Sequence, residues 1–210
     1  MSSDASFLPA HFCRRPSAIT YRSGLTAGSW RRPSPGLPQI RVQQDQIGRV
    51  FVNLSSDSVN DPQLLEFIRD QMRLTGVPGH KLGFEITETA AMGNLTRANQ
   101  LLSGLRGLGC SFGLDDFGSG ISSFTYLKAL AVDFVKIDGL FVGNIVNDAV
   151  DLEMVRSITD IAHVMGKKVI AESVESDDVL AKLRELGVDY AQGFALGVPG
   201  SLEIIGSESA

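Results

Sequence analysis

Two cysteines in 210 residues, Cys13 and Cys110, are too few for a disulfide framework or a thiolate metal site. Their scarcity points to a reducing compartment, with Cys110 a small buried apolar residue. No apolar run reaches the ~18 residues needed to cross a bilayer, and the N-terminus has no apolar signal core; the expected location is therefore cytoplasmic, with no membrane segment. A Gly-x-Gly-x-x-Gly turn is absent, which removes the usual phosphate grip of a doubly wound dinucleotide-binding sheet. Glutamate is missing from the front of the chain, where the earliest is Glu66.

What is present fits one ordinary globular domain, with 43% apolar and 20% charged residues. The net charge of -5 conceals an asymmetry. Residues 1 to 50 carry seven Arg against Asp4 and Asp45, a local excess of +5, so the remaining 160 residues carry -10. An acidic body repels a nucleic-acid backbone unless metal ions or a basic groove intervene, so polymeric DNA or RNA is not expected as its partner, and any phosphate ligand needs cations to mediate its contact.

Residues 1 to 47 hold Pro9, Pro16, Pro33, Pro35 and Pro38 among scattered Ser and Arg, with no sustained period of 2 or 3.6. This Pro/Arg/Ser-rich leader is expected to be disordered, and residues 48 to 205 to form the domain. From Val50 onward, short apolar runs alternate with amphipathic stretches. The expected strands are Arg49–Leu54, Lys81–Thr87, Ser111–Asp115, Phe134–Ile137, Lys168–Ala171 and Tyr190–Phe194. Helical stripes lie between them: Leu64 to Met72 with Asp61 as N-cap, Leu95 to Leu108 ended by Gly109, Val155 to Met165 closed by Gly166, and Val179 to Leu186 closed by Gly187. Strand and helix in alternation imply a parallel sheet covered by helices, since parallel neighbours need long crossovers.

Polar residues stand at the end of every expected strand: Asn53, Glu85, Asp115 with Asp116, Lys136 with Asp138, Glu172 and Gln192. In a parallel barrel those ends share one face, so residues far apart in sequence converge on one cleft. Clustered carboxylates repel one another unless cations neutralise them, and oxygen donors without His or Cys suit Mg²⁺ or Mn²⁺ rather than zinc. Adjacent carboxylates such as Asp115 and Asp116 allow one group to bridge two ions while the other binds the second.

The segments Val52-Asn53-Leu54-Ser55, Phe84-Glu85-Ile86-Thr87-Glu88-Thr89, Leu114 to Leu127, Val135-Lys136-Ile137-Asp138, Ile170 to Glu175 and Gln192-Gly193-Phe194 together resemble the EAL domain, the bacterial module that hydrolyses cyclic di-GMP to linear pGpG. The resemblance runs from Val50 to Pro199 and implies a TIM-type (β/α)8 barrel, α/β in class, with about six of its strands recognisable here. It further implies that Asn53, Glu85, Asp115, Asp116 and Glu172 bind two ions, that Lys136 orients the attacking water and that Glu172 helps activate it. Glu175 and Gln192 would face the substrate, and Glu88 would brace a loop at Gly118-Ser119-Gly120.

The front of the chain departs from that family. The Glu of the Glu-Ala-Leu tripeptide, a metal ligand in the family, has no counterpart before Glu66. The first two barrel strands are not recognisable either. Two expectations follow: open barrel edges at the Val50–Leu54 and Tyr190–Phe194 strands that invite a homodimer or partner protein, and weak or absent hydrolysis by the chain alone. The alternatives are an inactive module that binds cyclic di-GMP or a protein, and a truncated gene remnant.

Overall fold

The computed structural model describes residues 6–10, 18–25, 49–118 and 124–197. Its eight strands are β1 (Ser6–Ala10), β2 (Ala18–Leu25), β3 (Arg49–Leu54), β4 (Leu82–Thr87), β5 (Ser111–Phe117), β6 (Phe134–Ile137), β7 (Lys168–Ala171) and β8 (Tyr190–Ala191). They form one sheet in sequence order, parallel from β2 to β8, with β1 antiparallel to β2. All six expected strands are there. The last is shorter than expected, because Gln192 to Phe194 leave the ladder after Ala191.

The leader, read as lacking regular structure, contributes β1 and β2; its other residues lie outside those described. The edge expected at β3 is accordingly covered. Ala18, Ile19, Thr20 and Tyr21 of β2 pair with Arg49, Val50, Phe51 and Val52, giving backbone groups of β3 hydrogen-bond partners. The four-residue run Ala18 to Tyr21 is rich in β-formers, but its Pro- and Arg-rich surroundings mask it.

Eight helices accompany the sheet among the described residues: α1 (Ser56–Asn60), α2 (Leu64–Thr75), α3 (Glu88–Gly93), α4 (Leu95–Arg106), α5 (Phe124–Ala129), α6 (Gly139–Val142), α7 (Ala149–Val164) and α8 (Asp177–Glu185). Side chains cap most of their starts, each such bond contributing ~1 kcal/mol. Asn94 accepts from Arg97 N at 3.1 Å, Asp148 from Val150 N at 2.7 Å and Ser176 from Val179 N at 3.3 Å. Asp61 does not cap α2. It accepts from Gln63 N at 2.8 Å in the turn before Leu64, where Pro62 still lies outside the helix. The helix α4 stops at Arg106 with Gly107 as its C-cap, short of the expected Gly109. No helix among the described residues is long and apolar enough to cross a membrane.

Helix residues Leu101, Leu102, Leu105, Val155, Ile158, Ala162, Leu180 and Leu183 pack into one core with Ile86, Phe112, Leu114, Val135, Val169 and Ala191 of the sheet. Alternation sends the other strand residues to the opposite face. There Phe51 and Phe134 meet edge to face with centroids 5.2 Å apart. Gly83 and Gly113, on the two strands between them, leave the room: a methyl on Gly83 would lie 2.2 Å from the Phe51 ring, and one on Gly113 2.0 Å from the Phe134 ring. Two residues further along each of these strands stand Asn53, Glu85, Asp115 and Lys136. An aromatic floor thus underlies a polar layer.

Candidate functional site

Lys136 on β6 is fully buried, at 0% exposure. Its Nζ lies 2.6 Å from Glu172 Oε1, 2.8 Å from Asp115 Oδ1 and 3.1 Å from Glu85 Oε2. Three strand ends, those of β4, β5 and β7, therefore converge on one ammonium. Burial opposes the charge on Lys136, but the attraction of Glu85, Glu172 and Asp115 outweighs it and raises its pKa above the ordinary value. The Glu85 carboxyl is raised to about 7: burial, with Asp115 and Glu172, pushes it up and outweighs the downward pull of Lys136.

Carboxylate oxygens of Asp115, Asp116 and Glu172 lie within 4.8 Å of one another. The residues at the end of β5 reach this arrangement through a left-handed backbone at Asp116, φ 54°, which a short polar side chain tolerates better than most. Asn53 pairs in register with Glu85 across β3 and β4, and its Nδ2 is buried with no hydrogen-bond partner among the described residues. Turned about, that amide offers Oδ1 to the same space. Among the described residues, four acidic side chains against one ammonium leave an excess of negative charge, and every donor is oxygen. This set fits hard divalent cations.

The structure brings together Asn53, Glu85, Asp115, Asp116, Lys136 and Glu172 at the strand ends. Gln192 follows β8 and is buried, its backbone tied to Ala171 O at 2.8 Å and to Val174 N at 3.0 Å. Glu175 is exposed, three residues beyond Glu172. Glu88 opens α3 and is buried; Ser119 and Gly120, in the loop it is expected to brace, lie outside the described residues. Asp138, placed among the converging acids by its position, instead caps α6, accepting from Leu140 N at 2.8 Å. Sequence reading missed a second left-handed residue, Ser173, φ 53°, next to Glu172. No residue type announces it.

Parallel strands that carry a carboxylate cup over an aromatic floor define an α/β barrel-type protein with its polar site at the strand C-terminal ends. The sequence profile of the EAL domain matches residues 36–199, and the chain belongs to that family, as an incomplete TIM-like barrel. It is 45% identical over 150 residues to the cyclic di-GMP phosphodiesterase PdeB of Shewanella oneidensis, covering 71% of this chain and 18% of that protein. The chain thus spans about a fifth of that relative's length. The solved EAL domain of Mycobacterium smegmatis DcpA superposes with a TM-score of 0.83 at 26% identity, over 97% of this chain and 93% of that one. The PaMucR phosphodiesterase in complex with c-di-GMP gives 0.80 at 25% identity, over 96% and 93%.

Proposed function

We propose that the chain is a cyclic di-GMP phosphodiesterase-type domain whose hydrolysis is impaired. The observation that supports this reading best is Lys136 held by Glu85, Asp115 and Glu172 beside the Asp115/Asp116/Glu172 group. Asn53, Glu85, Asp115, Asp116 and Glu172 would hold two Mg²⁺ or Mn²⁺ ions. Bound there, such ions neutralise phosphoryl oxygens and acidify a water at neutral pH.

Lys136 donates to the attacking water and fixes its place. Its donors are engaged by carboxylates in this structure, so each carboxylate that turns away returns one of them to the water. Glu172 accepts a proton as the water oxygen bonds to phosphorus, the P–O3′ bond breaks, and the departing O3′ takes a proton from solvent, leaving linear pGpG. Gln192 and Glu175 contact the dinucleotide. The impairment follows from β2. This strand stands beside β3 and Ala18–Leu25 contains no acidic residue, and no Glu precedes Glu66 to serve as the Glu of the family's Glu-Ala-Leu tripeptide. A site short of one ligand misplaces the nucleophile, and an error near 1 Å costs ~100-fold in rate.

The test is incubation of the chain with cyclic di-GMP and Mn²⁺, with pGpG measured by anion-exchange chromatography. Turnover below ~1 per second is expected. A rate well above that would show that the β2 carboxylate is dispensable. Calorimetric binding of cyclic di-GMP with no turnover would favour the second reading, a binding module, which the acid-free β2 also supports. No binding with or without metal would remove both.

A further inference from the structure

We infer that Gly139 is a positioning residue for Glu172, acting through the left-handed turn at Ser173. The inference rests on the metal-site reading above and concerns how one of its carboxylates is aimed.

Ser173 has φ 53°, a conformation uncommon for a residue that carries a side chain. Its neighbour Glu172 makes the shortest of the three contacts to Lys136 Nζ, at 2.6 Å. Left unsupported, the serine relaxes toward extended backbone and carries Glu172 with it. Hydrogen bonds hold both flanks. Glu172 N donates to Ile137 O at 3.2 Å, Val174 N to Gln192 O at 3.0 Å, and Ala195 N to Val174 O at 3.0 Å.

Shape does the rest. A methyl on Gly139 would lie 2.5 Å from both Cβ and Oγ of Ser173 and 3.8 Å from Glu172 O. The hydroxyl can rotate, but Cβ is fixed to the backbone, so the turn itself has to move. At the next residue of the turn, a methyl on Gly193 would lie 2.2 Å from Val174 N and 2.3 Å from Val174 O. The turn after β7 is therefore pinched between two glycines, one following β6 and one following β8. Gly139 is also the first residue of α6, behind the Asp138 cap. Helix propensity alone favours alanine there, so any loss from adding a methyl reports the clash and not the helix.

The experiment compares the full chain with Gly139→Ala and with Gly139→Ala/Ser173→Gly, in which the atoms that meet the new methyl are gone and glycine adopts the left-handed turn freely. Mn²⁺ affinity is read by calorimetry, and the backbone amide shifts of Glu172, Ser173 and Lys136 by NMR. Groups that orient metal ligands typically change affinity by ~10- to 100-fold. Gly139→Ala should weaken Mn²⁺ binding by about that factor, and the double variant should return it to within roughly threefold of the parent. Unchanged affinity in the single variant overturns the inference, as does a double variant equally weak. If the parent binds no Mn²⁺, the metal reading falls while the amide shifts still decide: displaced in the single variant and restored in the double, they support the clamp; undisplaced, they overturn it. If Gly139→Ala does not fold, native Mn²⁺ affinity or native amide shifts in the double variant support the clamp, and failure of the double variant to fold overturns it.

Discussion

Lys136 Nζ stands 2.6 Å from Glu172 Oε1, so the carboxylate that follows β7 meets its counter-charge on β6, 36 residues earlier in sequence. The same ammonium serves Asp115 and Glu85. Among the described residues it is the cation that contacts them, while Lys167 Nζ donates to Leu130 O and Val132 O, and Lys168 Nζ to Asp189.

Replacing Lys136 by Met removes the charge at nearly constant volume. Breaking a buried ion pair in this way costs about 3 to 5 kcal/mol, since the carboxylates left behind have no compensation. Urea denaturation of the metal-free Lys136→Met chain should show a loss of that size. Millimolar Mn²⁺ should recover part of it, and cyclic di-GMP turnover should vanish. Equal stability of the metal-free variant and parent would show that the carboxylates are already protonated.

The Glu85 carboxyl, raised to about 7 by burial, gives the site a pH dependence of definite sign. The folded state holds this proton more tightly than the unfolded chain does. The stability it contributes is complete below the unfolded value near 4.5 and is lost as pH rises to about 7, by on the order of 1 to 3 kcal/mol in the metal-free protein. Cations compete for the same oxygens, so Mn²⁺ affinity should rise between pH 5.5 and pH ~7.5 and then level. Calorimetry across this range checks it. In Glu85→Gln the pH slope should flatten and affinity should fall.

Much of this site was legible because strand periodicity and a common polarity of the strands are enough to place it. Once Asn53, Glu85, Asp115, Lys136 and Glu172 are read as strand ends, parallel pairing brings them to one face without further knowledge. Other features depend on atoms that a linear pattern does not encode. Asp138 looks like another acid of the cluster, but it follows Lys136 by two residues and its carboxylate is taken up by the start of α6. The left-handed turn at Ser173 is set by Gly139 and Gly193, on two other chain segments. The strand β2 was hidden by its Pro- and Arg-rich flanks, and its pairing to β3 is a tertiary fact.

The aromatic floor makes a separate claim. Gly113 faces the Phe134 ring, and a methyl there would lie 2.0 Å from it. The ring also packs edge-on to Phe51, so it cannot withdraw without disturbing that partner. Gly113→Ala should destabilise the chain by about 1 to 3 kcal/mol through overpacking. It should also weaken Mn²⁺ binding, because Asp115 is two residues along the same strand. Gly113→Ala combined with Phe134→Leu should recover stability, as read by thermal unfolding.

At the opposite end of the strands, Asp189 closes the start of β7 against β8. Its carboxylate accepts from Val169 N at 2.9 Å and Lys168 Nζ at 2.6 Å, and its Oδ2 pairs with His163 Nε2 at 2.7 Å. Burial pushes this carboxyl up, but the hydrogen bonds from Lys168, His163 and Val169 outweigh it and hold the pKa below the ordinary value of 3.8. The sign is opposite to that of Glu85: the stabilisation is complete above 3.8 and is lost as pH falls through the depressed value. Asp189→Asn keeps the shape, removes the charge and costs one acceptor, so it should lower stability at pH 7 by about 1 to 2 kcal/mol. The gap between variant and parent in urea denaturation should narrow below pH 4. Lying at the far end of the strands from the Lys136 cluster, the substitution should leave Mn²⁺ affinity unchanged, whereas Glu172→Gln should reduce affinity with little loss of fold. A drop in metal binding on Asp189→Asn would mean that the two ends of β7 are mechanically coupled.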